Sequence, residues 1–184
     1  MDVPQSFDES ATPIDHGPIA AGSGWVLVPK CAMTPQEHDQ WCWASVCQSV
    51  HRTHELEVSQ CEIARDVLGG AICNQQCDDE VCNHFARLSS ALDRRGLLAN
   101  KIDDQVDFQT VKSEINPTAS RVICCPIDRG SIGHAIVICG FHDKTQRIAI
   151  FDPLLDSGPH AHDFAKFQQE YAEGGTWTIT CLTQ

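Results

Sequence analysis

The chain has 184 residues, a mass of 20.3 kDa, a formal net charge of -12 and a pI near 5.0. This length suits one domain with a buried core and is short for two. The acidic balance argues against nucleic acid or an anionic membrane as a partner, because either would require a basic face. No apolar run approaches the roughly 18 residues that span a bilayer, and we find no signal peptide. The compartment stays unknown, with secretion or delivery by a bacterium as one option.

The chain begins with an irregular segment, and a predicted domain follows it. Residues 1–23 mix proline, glycine, serine and aspartate without a helical or strand period, so we expect a flexible N-terminal arm. Residues 24–184 form the predicted single domain. It opens with a short strand at residues 25–29, and a helix should begin close to Cys42.

Three further helices are predicted between residues 59 and 115. Ser59 and Glu62 match a capping box, in which each side chain satisfies a free amide at a helix start. Residues 79–95 carry apolar side chains at helical spacing, with acidic residues at the start, and residues 108–115 repeat the pattern more briefly. The first two-thirds of the chain is therefore predicted to be largely helical.

The spacing of apolar residues is no longer helical after Pro117, where runs rich in β-branched residues alternate with turn residues. The predicted strands lie at residues 121–126, 134–139, 147–151 and 176–181, with a helix at 164–171 between the last two. His160 and His162 are expected in a solvated loop. Helices followed by an antiparallel sheet define an α+β domain in two halves, with a cleft possible between them.

Four side chains form a candidate catalytic set. Cys42 lies at a predicted helix start, where free backbone amides and the helix dipole favour a thiolate. His134 heads an apolar strand and would exchange a proton with the sulfur, and Asp152 follows the next strand and would orient the imidazole. Gln36, six positions before the cysteine, would hold an oxyanion together with the Cys42 amide. This set predicts nucleophilic attack on a carbonyl.

These segments resemble the papain-like cysteine peptidases, and in particular the small bacterial branch that includes effector proteases and peptide-processing enzymes. The resemblance spans about residues 25–182 and rests on Gln36, Trp41-Cys42-Trp43-Ala44, Gly133-His134-Ala135-Ile136-Val137 and Asp152-Pro153. It implies a papain-like fold, with an N-terminal helical half, a C-terminal antiparallel sheet and the active site in the cleft between them. It also implies peptide-bond hydrolysis without a cofactor. Asp152 stands where the best-known members carry asparagine, and either side chain can orient the imidazole.

The residues next to the catalytic set are the candidates for substrate binding. Trp41, Trp43 and Gly133 are predicted to line the cleft, although a core role fits both tryptophans equally well. A cysteine at a helix start is often an ordinary buried apolar residue. Catalysis is favoured here because Cys42 and its three partners occur together in the chain order of a catalytic set. Gln40 lies two positions from Cys42 and is too close to share the oxyanion.

Eleven cysteines are many for a cytosolic protein, and an odd number leaves at least one thiol unpaired if the others form bridges. Cys42 is the natural candidate for that free thiol. The group Cys73, Cys77, Cys82 and His84 would offer zinc ligands, but its spacing is not that of a common zinc motif. We expect disulfides or reduced loop cysteines there, with Cys61 as a candidate partner, and no metal site.

Two adjacent cysteines, Cys124 and Cys125, fall within a predicted strand. Neighbouring side chains on a strand point to opposite faces. We therefore expect one of them in the core and the other paired or exposed.

The sequence as a whole predicts a monomeric cysteine peptidase that acts on a protein or peptide. Two other functions stay open. The same triad performs deamidation or acyl transfer when the site excludes water or accepts an amine. A non-catalytic binding module, stabilised by its cysteine-rich segment, is the alternative from a different class.

Overall fold

The structure is a computed structural model that describes residues 19, 24–70, 72–73, 77, 80–130, 133–155, 158–172 and 174–184. The predicted N-terminal arm, residues 1–23, lies outside the described residues apart from Ile19. Asp78 and Asp79, the predicted acidic helix start, lie outside them as well. Among the described helices, none is long and apolar enough to cross a membrane.

The helices lie mainly in the first part of the chain and the strands mainly in the second. The helices are α1 (Cys42–Thr53), α2 (Gln60–Leu68), α3 (Leu88–Arg94), α4 (Phe108–Glu114) and α5 (Phe164–Gln169), with a 3₁₀ turn at Glu80–Cys82. The strands are β1 (Trp25–Leu27), β2 (Leu98–Ile102), β3 (Ile123–Asp128), β4 (Gly133–His142), β5 (Arg147–Phe151), β6 (His160–Asp163), β7 (Thr176–Trp177) and β8 (Thr180–Thr183). The predicted α+β class is confirmed.

The strands form one antiparallel sheet with the order β2-β8-β3-β4-β5-β6, while β1 pairs with β4 and β7 pairs with β3. The ladder between β3 and β4 places Ile127 opposite His134. Strand β8 is last along the chain, yet it lies inside the sheet between β2 and β3. The sheet is therefore built from segments that are distant in sequence.

Helix α1 is almost entirely buried because it lies between other helices and the sheet. It contacts α2 and α3 on the helical side and β4 on the sheet side. Trp43, Val46 and Val50 have no exposed surface, and each large apolar side chain buried in this way contributes about 1.5–3 kcal/mol. The packing of α1 fixes the position of its first residue, Cys42, relative to the sheet.

The prediction of one helix over residues 79–95 is wrong. Only the 3₁₀ turn and α3 are helical there, and an extended segment joins them. The indole Nε1 groups of Trp41 and Trp43 donate to the carbonyls of Cys82 (2.8 Å) and His84 (3.1 Å). These tertiary bonds use backbone carbonyls that a helix would need, and Phe85 is 54% exposed as a result.

The remaining differences concern the sheet. The strands β2 and β6 were not predicted, and β6 carries His160 and His162, which the sequence placed in a loop. The strand expected over residues 176–181 divides into β7 and β8.

Four cysteines form two disulfides, Cys61–Cys77 and Cys73–Cys82, so the disulfide interpretation of this segment is confirmed. The other seven are free thiols, and all of them are buried. Cys124 and Cys125 both have no exposed surface, so the expectation that one of them would be paired or exposed is wrong. Both faces of β3 must therefore be covered by other parts of the fold.

Candidate active site

Cys42 is the first residue of α1 and lines an open cleft, although only 4% of its surface is exposed. The helices α2, α4 and α5 each begin with a side-chain oxygen that caps a free amide, supplied by Ser59, Asp107 and Asp163. No side chain caps α1. The amide of Trp41 donates to the carbonyl of His38 and that of Ala44 to the carbonyl of Trp41, which leaves the amides of Cys42 and Trp43 to interact beside the sulfur.

His134 is the second residue of β4 and brings an imidazole from the sheet to the sulfur. Its Nε2 donates to Oδ1 of Asp152 at 2.8 Å, and the ring is also hydrogen bonded to Cys42. Burial alone would lower the pKa of His134. The hydrogen bonds and negative charges of Asp152 and Cys42 outweigh burial and raise the pKa of His134 to about 9. The imidazole is therefore held in its charged form at neutral pH.

Asp152 directly follows β5, and its buried carboxylate accepts three hydrogen bonds. Oδ1 accepts from His134 and from the backbone amide of Leu154 (2.8 Å), and Oδ2 accepts from the hydroxyl of Tyr171 (2.6 Å). Burial favours the neutral acid, but the bond and charge of His134, together with the other two donors, hold the pKa of Asp152 below its ordinary value. This carboxylate is ionised and fixed in orientation.

Gln36 lies in the loop before α1. Its backbone amide donates to the carbonyl of Pro153 (3.1 Å), which places this loop beside the residue that follows Asp152. The side-chain Nε2 donates to the carbonyls of His38 (3.0 Å) and Asp39 (2.8 Å). Its Oε1 is buried and accepts no hydrogen bond from the described residues. The side-chain amide is thus turned toward the turn that leads into Cys42.

Gln60, a residue that the sequence did not suggest, holds the Gln36 loop from α2. Its Nε2 donates to the carbonyl of Pro35 (2.9 Å), and its Oε1 accepts from the amide of Glu37 (3.0 Å). These bonds bracket Gln36 on both sides, and Gln60 has no exposed surface. The loop is therefore held by a buried amide with both of its polar ends satisfied.

The cleft beside Cys42 has mainly apolar walls. Its lining includes Trp43, Phe85, Leu88, Pro126 and Ile127, with Gly133 next to His134 and with Asp128 and Thr178 as polar members. A side chain at Gly133 would meet the ring of Phe85 at 3.3 Å, so the two residues nearly touch. Of the three predicted substrate-binding residues, Trp43 and Gly133 lie in this lining, whereas Trp41 is fully buried in the core.

The disulfide-linked segment is joined to the turn before α1 by several hydrogen bonds. The amide of Gln40 donates to Oδ1 of Asn83 (2.9 Å), and Oε1 of Gln40 accepts from the amide of Phe85 (3.1 Å). His38 donates to the carbonyl of Cys77 (2.7 Å). Together with the indole bonds from the two tryptophans, these contacts fix the wall that carries Phe85.

This chain resembles known proteins both in sequence and in fold. The model of the family described as "Papain-like cysteine protease AvrRpt2" matches residues 23–172, which is most of the chain. The chain belongs to this family. The AvrRpt2 family is a family of bacterial effector proteases, so this member is a cysteine protease and its substrate is a protein. No curated protein matches the chain.

Two solved structures share the fold of this AvrRpt2-family protease. One is the peptidase domain of Streptococcus ComA, a bi-functional ABC transporter involved in quorum sensing. It has a TM-score of 0.57 and 15% identity, covering 83% of this chain and 98% of that one. The other, from Bacillus anthracis, is described as a C39-like peptidase and has a TM-score of 0.57, 13% identity and coverages of 87% and 98%. At such identities the likeness concerns the fold alone.

Sequence reasoning missed Tyr171 in this protease. The residue lies just beyond α5, far from Asp152 in sequence, and no local pattern connects the two. One clue was present, since Tyr171 is the only tyrosine of the chain. A lone buried phenol needs a hydrogen-bond acceptor, and the sequence does not say which one.

Proposed function

We propose that this protease hydrolyses peptide bonds through Cys42, His134 and Asp152, with the oxyanion held by the Cys42 amide and Gln36. The observation that carries the proposal is the sharing of one imidazole between Cys42, at an uncapped helix start, and a buried carboxylate. A thiol, a base and an orienting acid in this relation are the parts that acyl transfer requires. All of them come from one chain, and the proposed active form is a monomer.

The proposed reaction has two stages. The Cys42 thiolate attacks the scissile carbonyl carbon, and the carbonyl electron pair moves onto oxygen. When the pair returns, the C–N bond breaks and His134 gives its proton to the leaving amine. In the second stage His134 takes a proton from water, whose oxygen attacks the thioester carbonyl. The acid product departs, and the sulfur and imidazole return to their starting charges.

The oxyanion role of Gln36 has a structural condition. Both hydrogens of its Nε2 are directed to the carbonyls of His38 and Asp39, so one of these bonds has to open or be shared when the oxyanion forms. The uncapped amide of Cys42 needs no such exchange. We therefore propose that the backbone amide of Cys42 contributes more to oxyanion stabilisation than the side chain of Gln36.

Replacing Gln36 by alanine is expected to lower kcat by about 100- to 1,000-fold with little change in KM, because an oxyanion donor acts in the transition state. Steady-state kinetics on a peptide substrate measure both constants. Gln40→Ala is the matched comparison, since Gln40 supports Phe85 in the cleft wall and should affect mainly KM. Equal kcat values for Gln36→Ala and the parent enzyme would remove Gln36 from the mechanism.

The apolar walls indicate the kind of polypeptide that fits. Phe85, which is 54% exposed, offers uncharged contact surface next to the sulfur, whereas Trp43 and Leu88 line the same cleft with almost no exposed surface. A substrate that presents an apolar side chain there buries both surfaces, at a gain of about 25 cal/mol per Å². We propose that the enzyme selects extended segments with such a side chain close to the scissile bond.

A peptide library incubated with the reduced enzyme in ¹⁸O-labelled water tests the proposal. Hydrolysis gives new carboxyl ends that carry ¹⁸O, with apolar residues enriched near the cut. The control is the same enzyme after alkylation of Cys42. Intact peptides with glutamine or asparagine converted to the acid would identify a deamidase, and joining to an added amine would identify an acyltransferase. Unchanged peptides that stay bound would favour the binding module.

A further inference from the structure

Tyr171 is hydrogen bonded to Asp152, the carboxylate of the proposed triad. Its hydroxyl donates to Oδ2 of Asp152 at 2.6 Å, while the other two donors, His134 and the amide of Leu154, both use Oδ1. Among the described residues, Tyr171 is thus the sole donor to the second carboxylate oxygen. Only 3% of the Tyr171 surface is exposed, so water has little access to replace it.

The fold holds the Tyr171 ring tightly. Its ring centroid lies 5.5 Å from those of Phe167 on α5 and His162 on β6. Its backbone amide donates to the carbonyl of Gly175 at 2.7 Å. A side chain at position 175 would approach the Tyr171 carbonyl to 2.5 Å, so this close turn requires glycine.

The phenol stays a donor throughout the working pH range. Burial, followed by the charge and hydrogen bond of Asp152, raises the pKa of Tyr171 far above its usual value. Cys125 acts in the same direction and Arg129 opposes it. A neutral hydroxyl next to an ionised carboxylate can only donate, so the Tyr171 hydroxyl keeps its proton and directs it toward Oδ2.

We propose that Tyr171 is a positioning residue that locks the rotation of the Asp152 carboxylate and thereby the orientation of His134. The proposal rests on the proposed triad. Without the Tyr171 bond the carboxylate is anchored through Oδ1 alone, so its rotation about the Cβ–Cγ bond is less restricted and the imidazole is held less firmly in its direction toward Cys42. Misplacement of a reacting group by about 1 Å costs on the order of 100-fold in rate. Tyr171 therefore acts on catalysis only through Asp152.

A double-mutant cycle tests this dependence. Tyr171→Phe keeps the ring packing and removes the hydroxyl, and it is expected to lower kcat about tenfold with KM unchanged, the size of one lost hydrogen bond to a charged group. In an Asp152→Ala background the same change should have no further effect. Phe164→Leu, on the same helix but with its ring against Phe108 and Trp177, is the packing control and should reduce thermal stability while leaving kcat close to the parent value. Additive losses in the cycle would overturn the proposal.

A second readout does not need peptidase activity. Nitrogen-15 NMR of the reduced protein should show the His134 Nε2–H proton at low field, protected by the bond to Asp152 and assigned by its loss in His134→Gln. In Tyr171→Phe its exchange with solvent should become about tenfold faster. An unchanged exchange rate would refute the positioning role. If the parent enzyme cleaves no peptide but this rate still rises, the proposed function fails and the role of Tyr171 stands.

Discussion

Replacing Cys42 by alanine is expected to lower kcat by on the order of 10⁶-fold, to the limit of detection. The substitution removes the sulfur that we propose forms the acyl-enzyme, while the amides at the start of α1 and the His134–Asp152 pair stay in place. Substrate binding should survive, because the cleft walls are unchanged. Cleavage assays give the rate, and calorimetric titration with the peptide gives the affinity.

Cys47 provides a matched control from the same helix. It has no exposed surface, and burial raises the pKa of its thiol to about 12, which makes it unreactive at neutral pH. Cys47→Ala should keep nearly full activity, and iodoacetamide should modify Cys42 first in the folded parent protein. If Cys42→Ala retained even one per cent of the cleavage rate, a different nucleophile would have to be sought.

Substitution of His134 by glutamine should lower kcat by about 10⁴- to 10⁶-fold and should destabilise the fold less than His134→Ala does, because glutamine replaces the hydrogen-bond donor but not the positive charge. Glutamine places an amide nitrogen near the position of Nε2, so Asp152 keeps its third donor. It can neither take the proton from Cys42 nor deliver one to the leaving amine. Activity and denaturant unfolding, measured on the same preparation, separate these two effects.

Two companion measurements sharpen this test. In the parent enzyme kcat/KM should decrease as pH rises through about 9, because His134 then loses the proton that the leaving amine needs. His134→Ala should be inactive and also less stable by about 1–3 kcal/mol, since the buried carboxylate loses a donor. His142→Gln, at the opposite end of β4, should behave like the parent enzyme. A parent pH profile that stays flat to pH 10 would contradict the assigned role of His134.

Three members of the candidate catalytic set, Cys42, His134 and Asp152, could be proposed from the sequence because each lies near a boundary of a helix or strand that local patterns reveal. The helix start at Cys42 and the apolar strands beginning at His134 and ending before Asp152 all follow from local periodicity. The capping box at Ser59 and Glu62 is likewise present as predicted. Local patterns of this kind place the ends of elements, and in this fold the candidate site is made from such ends.

The errors arose where distant contacts override local preference. The helical spacing of apolar side chains over residues 79–95 predicted one helix, but the indole donors of Trp41 and Trp43 bind carbonyls at the end of the 3₁₀ turn and in the segment before α3, where the chain is not helical. A sequence pattern contains no record of these two hydrogen bonds, in each of which 41 positions separate the donor from the acceptor. The same holds for the bond from Tyr171 to Asp152, and for β6, whose pairing with β5 no short pattern indicates.

The place of β8 inside the sheet has a consequence for the timing of activity during protein synthesis. Strands β2 and β3 emerge from the ribosome early, but the edges that they offer to β8 stay unpaired until residues 180–183 have been made. Strand β3 in turn carries β4 and with it His134. We therefore expect the full sheet, and with it the fixed position of His134 relative to Cys42, to form only after this last strand has been made.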